Sequence, residues 1–181
     1  MPTYERLDYE VADRVATVTF DRPDTLNAMD APLLDELEDA LRTAEADDEL
    51  RAVVLTGSAE AFSSGYDLST EGEDVDLTGF SADDWIDRMD VYSHIQTIYE
   101  LDLPVVAAVD GYALAGGCNT AVVADLTICT ERAKLGYPDL RMGGLPAYLV
   151  HPYVVDSIGH ARELFYTGKM VDGTTAERMG L

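Results

Sequence analysis

The sequence predicts an α/β fold with a mostly parallel sheet, and two observations carry that prediction. Short strand-like runs alternate with helical segments along most of the chain. Three of those runs, Ala52–Thr56, Val105–Val109 and Leu126–Cys129, are almost continuously apolar, as suits a sheet covered on both faces. No internal repeat and no linker-like stretch interrupts the 181 residues. One domain, 1–181, with a sizeable core is therefore expected.

Taken in order, Tyr4–Val11 and Val15–Phe20 are β-rich runs split by Ala12-Asp13-Arg14, and they predict a hairpin. Arg22-Pro23-Asp24 breaks the pattern. A helix is predicted from Asp30, a good N-cap, with Pro32 in its first turn. Leu33, Leu34, Leu37, Leu41 and Ala44 recur at helical spacing and form its apolar stripe. Further helices are predicted over Ala82–Glu100, Gly117–Ala124, Pro146–Phe165 and Thr174–Met179. Thr70–Asp84 is acidic and poor in apolar residues, so it predicts a surface loop.

Composition narrows the function classes. Apolar residues make up 47% of the chain, which argues against disorder. No apolar run approaches the roughly 20 residues needed to span a bilayer, and the N-terminus lacks the basic and apolar regions of a signal peptide. A cytoplasmic location without membrane attachment is the expectation. The net charge of −23 and pI near 4.1 oppose binding to a phosphate backbone, so nucleic acid is not an expected partner. Lys134 and Lys169 are the only lysines. Acid excess with lysine depletion favours adaptation to molar salt, the habit of a halophile, over a merely acidic surface. Cys118 and Cys129 form no disulfide framework and predict buried, inert thiols. His94, His151 and His160 are scattered and form no metal motif.

The most informative stretch is Gly111-Tyr-Ala-Leu-Ala-Gly-Gly-Cys-Asn119, followed by Gly136-Tyr-Pro-Asp139. A glycine-rich turn runs straight into a helix. The helix start presents unpaired N–H groups and the positive end of the dipole, which suits stabilisation of an oxyanion. Asp139 then supplies a carboxylate that can move a proton.

Three segments, in this order and spacing, resemble the enoyl-CoA hydratase/isomerase family, also called the crotonase family. The first is Arg22-Pro23 with Leu26-Asn27-Ala28-Met29. The second is Arg51-Ala-Val-Val-Leu-Thr-Gly57 leading into Ala61-Phe-Ser-Ser-Gly-Tyr-Asp-Leu68. The third runs from Pro104 through Gly116-Gly117-Cys118 to Ala124-Asp125. The resemblance implies a crotonase-like spiral of ββα units, an acyl-CoA thioester substrate and a homotrimer or hexamer. It implies no cofactor beyond the coenzyme A of the substrate. It places an oxyanion hole on the backbone N–H groups of Tyr66 and Gly116. It places contacts to the substrate and its CoA moiety at Leu26, Ala28, Ser64, Tyr66, Asp67, Leu68 and Gly116. Leu26 and Ala28 fit a turn or a core contact equally well.

The catalytic pair departs from the family pattern, in which hydratases carry two glutamates. Asn119 stands at one position and Asp139 at the other. Asn119 cannot transfer a proton but can hold a water or a carbonyl. Asp139 keeps a carboxylate on a shorter arm; its bland reading is a turn-stabilising acid beside Pro138. Family members usually continue past a pattern like Ala176-Glu-Arg-Met-Gly-Leu181 with helices that close the acyl pocket. Those C-terminal helices are expected to be missing from this sequence. Enolate chemistry on an acyl-CoA is the leading expectation, whether double-bond isomerisation or hydration. A decarboxylase-type enzyme and a catalytically weakened CoA-binding protein are the alternatives.

Repulsion among surface carboxylates is screened by salt. The melting temperature should therefore rise between dilute buffer and molar KCl. A flat profile over that range would remove the salt-adaptation reading.

Overall fold

The turn after the first strand fixes the start of the fold. Asp13 and Arg14 take φ values of 51° and 69°, the left-handed pair that a two-residue hairpin needs. They join β1 (Leu7–Ala12) to β2 (Val15–Phe20), with Ala12 opposite Val15. The computed structural model describes residues 2–67, 93–142 and 155–181.

The chain then builds two sheets at once. A long strand enters the first sheet and a three-residue strand follows in the second. β3 (Ala52–Gly57) is followed by β4 (Ala61–Ser63), β5 (Val105–Val109) by β6 (Tyr112–Leu114), and β7 (Leu126–Cys129) by β8 (Lys134–Gly136). The first sheet has the order β1-β2-β3-β5-β7, antiparallel only between β1 and β2. The second has the order β4-β6-β8-β9, where β9 (Met170–Asp172) is antiparallel to β8. Each pair advances both sheets by one strand in the same direction, which is a spiral of ββα units.

Among the described residues five helices accompany the sheets: α1 (Ala31–Glu45), α2 (Ser93–Glu100), α3 (Gly116–Val123), α4 (Ile158–Thr167) and α5 (Gly173–Met179). A 3-10 turn, Pro138–Met142, follows β8. Asp30 caps α1 as expected, its Oδ1 accepting the Leu33 N–H at 3.0 Å. Leu33, Leu34, Leu37, Leu41 and Ala44 are all buried in the core. They share it with Ala16, Val18, Val53 and Leu55 from the first sheet. Phe20 and Phe62 meet edge-to-face at 5.3 Å and tie the two sheets together.

Three expectations are corrected. The second sheet was not anticipated, because three-residue strands carry no readable period. β7 is not covered on both faces: it is an edge strand, with Leu126 and Ile128 about 60% exposed. Cys129 is half-buried, whereas Cys118 is buried as expected. The loop expected over 70–84, the helix over 82–92, the helix over 146–154 and His151 lie outside the described residues or mostly so. Among the described residues no helix is long and apolar enough to cross a membrane.

The turns β3–β4 and β5–β6 touch at Gly111, where φ is 73° and a Cβ would lie 1.8 Å from the Glu60 carbonyl oxygen. Both the conformation and the space demand glycine. Gly111→Ala should lower stability by about 2 kcal/mol or more. Urea unfolding checks this, and an unchanged midpoint would contradict it.

Candidate active site

The site is built on the 22–30 loop. Leu26 and Asn27 adopt left-handed φ values of 54° and 55°, which turn the chain back on itself after Pro23. Asn27 is fully buried, and its side chain is spent on backbone. Its Nδ2 donates to the Ser58 and Ala61 carbonyls at 3.0 and 2.7 Å, and its Oδ1 accepts the Arg22 N–H at 2.8 Å. Ser63 Oγ donates to the Asn27 carbonyl at 2.8 Å. The Arg22 guanidinium completes the lacing. It donates to the Ala28 carbonyl and pairs with Asp67 at 3.0 Å and Asp30 at 3.2 Å.

This lacing holds the segment 63–67 against the loop. Met29 and Tyr66 form an isolated parallel bridge. The Met29 N–H donates to the Gly65 carbonyl at 2.8 Å, and the Asp67 N–H to the Met29 carbonyl at 2.9 Å. In a parallel bridge those flanking groups make the bonds, so the N–H of Tyr66 itself points away from Met29.

On the other side, Ala115 sits before α3 at φ 52°, ψ −122°. That region is nearly reserved for glycine and costs an alanine about 1–3 kcal/mol. The conformation is enforced by the Ala115 N–H bond to the Gly136 carbonyl at 2.9 Å and by the Asn119 N–H bond to the Ala115 carbonyl at 3.1 Å. Strain of this kind aims the first amides of α3, starting with Gly116, out of the helix end. The Tyr66 ring lies directly on Gly116: a Cβ there would be 2.6 Å from Tyr66 Cε2. The Tyr66 side chain thus packs on the start of α3 at Gly116.

Asn119 follows one turn into α3 and is buried. The Tyr137 hydroxyl donates to its Oδ1 at 3.0 Å. Tyr137 is itself fully buried and stacks on Phe165 at 4.4 Å. Burial, the contact with Cys118 and the nearby Asp139 push its phenol pKa well up. Burial pushes the Cys118 thiol up to about 11, so it stays protonated and unreactive at neutral pH. Asp139 sits in the 3-10 turn, half-buried, and its Oδ1 is shut from solvent with no hydrogen-bond partner among the described residues. That burial raises its carboxyl pKa above the ordinary value. His94 on α2 reaches in behind, its Nε2 3.0 Å from the Thr120 hydroxyl and its ring edge-on to Tyr66. Together these groups offer backbone donors at a helix end, one carboxyl of raised pKa and one amide. Among the described residues no cluster of His, Cys, Asp or Glu could hold a metal ion.

The remaining expected contacts fall as follows. Leu26 is exposed and Ala28 is buried. Ser64 Oγ donates to the Thr25 carbonyl at 3.2 Å. The Asp67 carboxylate is buried against Arg22, which gives it a structural duty. Leu68 lies outside the described residues. Sequence reasoning missed Asn27, Tyr137 and His94. A buried polar residue in a turn motif was the available signal for Asn27. The adjacency of Tyr137 to Asp139 was the signal for the phenol.

Residues 10–181 match the family described as Enoyl-CoA hydratase/isomerase. A probable enoyl-CoA hydratase of Rhizobium meliloti is 37% identical over 182 residues, covering 99% of this chain and 68% of that protein. One of Mycobacterium bovis is 33% identical over 181 residues, again covering 99% and 68%. The crystal structure of an enoyl-CoA hydratase/isomerase from Xanthobacter autotrophicus superposes with a TM-score of 0.89 at 33% identity. That match covers 98% of this chain and 65% of the other. The chain thus spans about two thirds of the length of the proteins it matches.

The contact between Tyr66 and Gly116 makes their substitutions interdependent. Gly116→Ala alone should cost about 1–3 kcal/mol by pushing on the ring. In a Tyr66→Ala background that penalty should shrink, because the nearest obstructing atoms are gone and only the flexible end of Met29, 2.9 Å away, remains. A double-mutant cycle on stability reads the coupling, and strict additivity would show that the ring does not bear on Gly116.

Proposed function

The chain belongs to the enoyl-CoA hydratase/isomerase family, and within it we propose an enzyme that forms an enolate from an acyl-CoA thioester, with Asp139 as its proton carrier. The observation that carries this reading is the Asp139 carboxyl: one oxygen is buried without a partner and its pKa is raised. The hydrogen bond that the carboxyl does accept comes from its own backbone N–H, which leaves the buried oxygen vacant, as a proton carrier with a pKa nearer the working pH needs.

The thioester oxygen accepts from the N–H groups of Tyr66 and Gly116, where the dipole of α3 favours negative charge. Asp139 takes a proton from C2 of a 3-enoyl thioester, and the electron pair moves into the carbonyl. The dienolate oxygen is held by the two amides. Asp139 then returns the proton at C4, leaving a 2-enoyl thioester. One carboxyl suffices for both transfers. Hydration needs water activated as well, and Asn119 holds no proton it can exchange. Isomerisation is therefore expected to outpace hydration. The relatives named as probable enoyl-CoA hydratases favour hydration as the second reading.

Rates on a 3-enoyl-CoA and a 2-enoyl-CoA, measured side by side, test the proposal. Asp139→Asn should reduce turnover by roughly a hundredfold or more. The same change should not unfold the protein. A carboxyl whose folded pKa is raised favours the native state when protonated, and that contribution fades as pH climbs through the raised value. At neutral pH the variant should thus melt at the same temperature or higher. As a base, Asp139 should lose activity on acidification at a pH above the ordinary carboxylate range. Fast hydration that survives Asp139→Asn would overturn the role of Asp139 and the preference for isomerisation.

A further inference from the structure

We propose that His94 is a positioning residue for the oxyanion site: it braces the start of α3 through the Thr120 hydroxyl and through the Tyr66 ring, so that the Gly116 amide is held for the developing enolate oxygen. The inference rests on the acyl-CoA reading above and gives α2 a part in that chemistry.

The start of α3 cannot stiffen itself. Gly116 and Gly117 open the helix, and glycine is the residue least held by its own backbone preference. Neither position has room for a side chain. A Cβ on Gly116 would meet Tyr66 Cε2 at 2.6 Å and Met29 Cε at 2.9 Å, and one on Gly117 would meet the Ser63 carbonyl oxygen at 2.5 Å. Order at Gly116 must therefore come from its neighbours. A misplacement of about 1 Å at a reacting group can cost up to about a hundredfold in rate.

Two of those neighbours lead to His94. The Thr120 hydroxyl is fully buried and donates to the Gly116 carbonyl at 3.0 Å, a back-bond across one helical turn. His94 Nε2 lies 3.0 Å from the same hydroxyl. A hydroxyl has one proton, and with that proton on the carbonyl Nε2 donates the second bond. Met29 Sδ, 3.8 Å from the hydroxyl, is the weaker acceptor. The second neighbour is the Tyr66 ring that packs on Gly116. His94 meets that ring edge-on, with centroids 6.2 Å apart and 78° between the planes. His94 is itself fully buried, so water competes for neither contact. One imidazole thus touches both the hydrogen-bond partner of the Gly116 carbonyl and the ring that covers the glycine.

The test measures kcat on whichever of a 3-enoyl-CoA and a 2-enoyl-CoA the native protein turns over faster, and affinity for butanoyl-CoA by calorimetry. Butanoyl-CoA reports ground-state binding, whereas kcat reports the charge that develops on the oxygen. His94→Phe keeps a ring against Tyr66 without the nitrogen. Thr120→Val removes the hydroxyl at nearly unchanged shape, and it guards against a folding failure of the histidine variants. Each should lower kcat by about tenfold or more and leave the affinity for butanoyl-CoA within about twofold of native. His94→Gln restores an N–H donor near the place of Nε2 and should bring kcat back to within about threefold of native. The double variant His94→Phe/Thr120→Val should be no slower than the slower single one, since both break the same chain of bonds. Native kcat in both single variants, equal losses of kcat and affinity, or His94→Gln no faster than His94→Phe overturns the role of His94 and leaves the acyl-CoA reading standing. A native protein that neither binds butanoyl-CoA nor turns over either enoyl-CoA overturns that reading and the inference with it.

Discussion

The buried amide of Asn27 is the constraint on which the site depends. It satisfies two carbonyls of the β3–β4 turn and one backbone N–H of the 22–30 loop. Removing it would take a partner from three backbone groups, one of them buried and two partly so, and each such loss is costly. Those bonds, with the Arg22 ion pairs, hold residues 63–67 in the conformation that turns the Tyr66 amide outward. The Tyr66 ring in turn covers Gly116. A turn far from the reacting groups in sequence thus sets the spacing of both candidate amide donors.

Strain is concentrated where those donors are aimed. Ala115 occupies a backbone region that suits glycine, yet glycine there would also widen the choices open to the unfolded chain. The flanking bonds to Gly136 and Asn119 hold the alanine in place. Gly136 precedes Tyr137, so the strand that braces Ala115 also delivers the phenol and, two residues later, Asp139. The Gly116 amide, the Asn119 side chain and the Asp139 carboxyl are therefore placed by one short stretch after β8 and the start of α3.

What the sequence revealed follows the length and regularity of each element. β5 and β7 could be located from apolar runs, and α1 from its cap and its leucine spacing. β4, β6, β8 and β9 could not, because three residues stabilised by pairing leave no pattern of their own. The site was legible through its motifs, which bring Tyr66, Gly116, Asn119 and Asp139 into view. Their supports were not. Asn27 acts through backbone carbonyls remote in sequence, and Asp67 through Arg22, so neither partnership leaves a local signature. The exposed apolar face of β7 reads as core from composition alone, because an edge strand differs from a central one only in its neighbours.

The charge balance bears on the acyl-CoA reading in a less expected way. The phosphates of coenzyme A are anionic, and the chain carries −23. Long-range steering therefore runs against capture. Arg22, the cation laced into the 22–30 loop, does not offset this, because it is paired with Asp30 and Asp67. Screening shortens the reach of the repulsion, from about 8 Å at physiological ionic strength to about 3 Å at 1 M. The same screening weakens exposed pairs such as Arg42–Glu45 but acts far less on the buried Arg22 pairs. The scaffold of the site thus rests on buried ion pairs and backbone hydrogen bonds, which salt leaves intact, while the repulsion that salt removes lies on the surface.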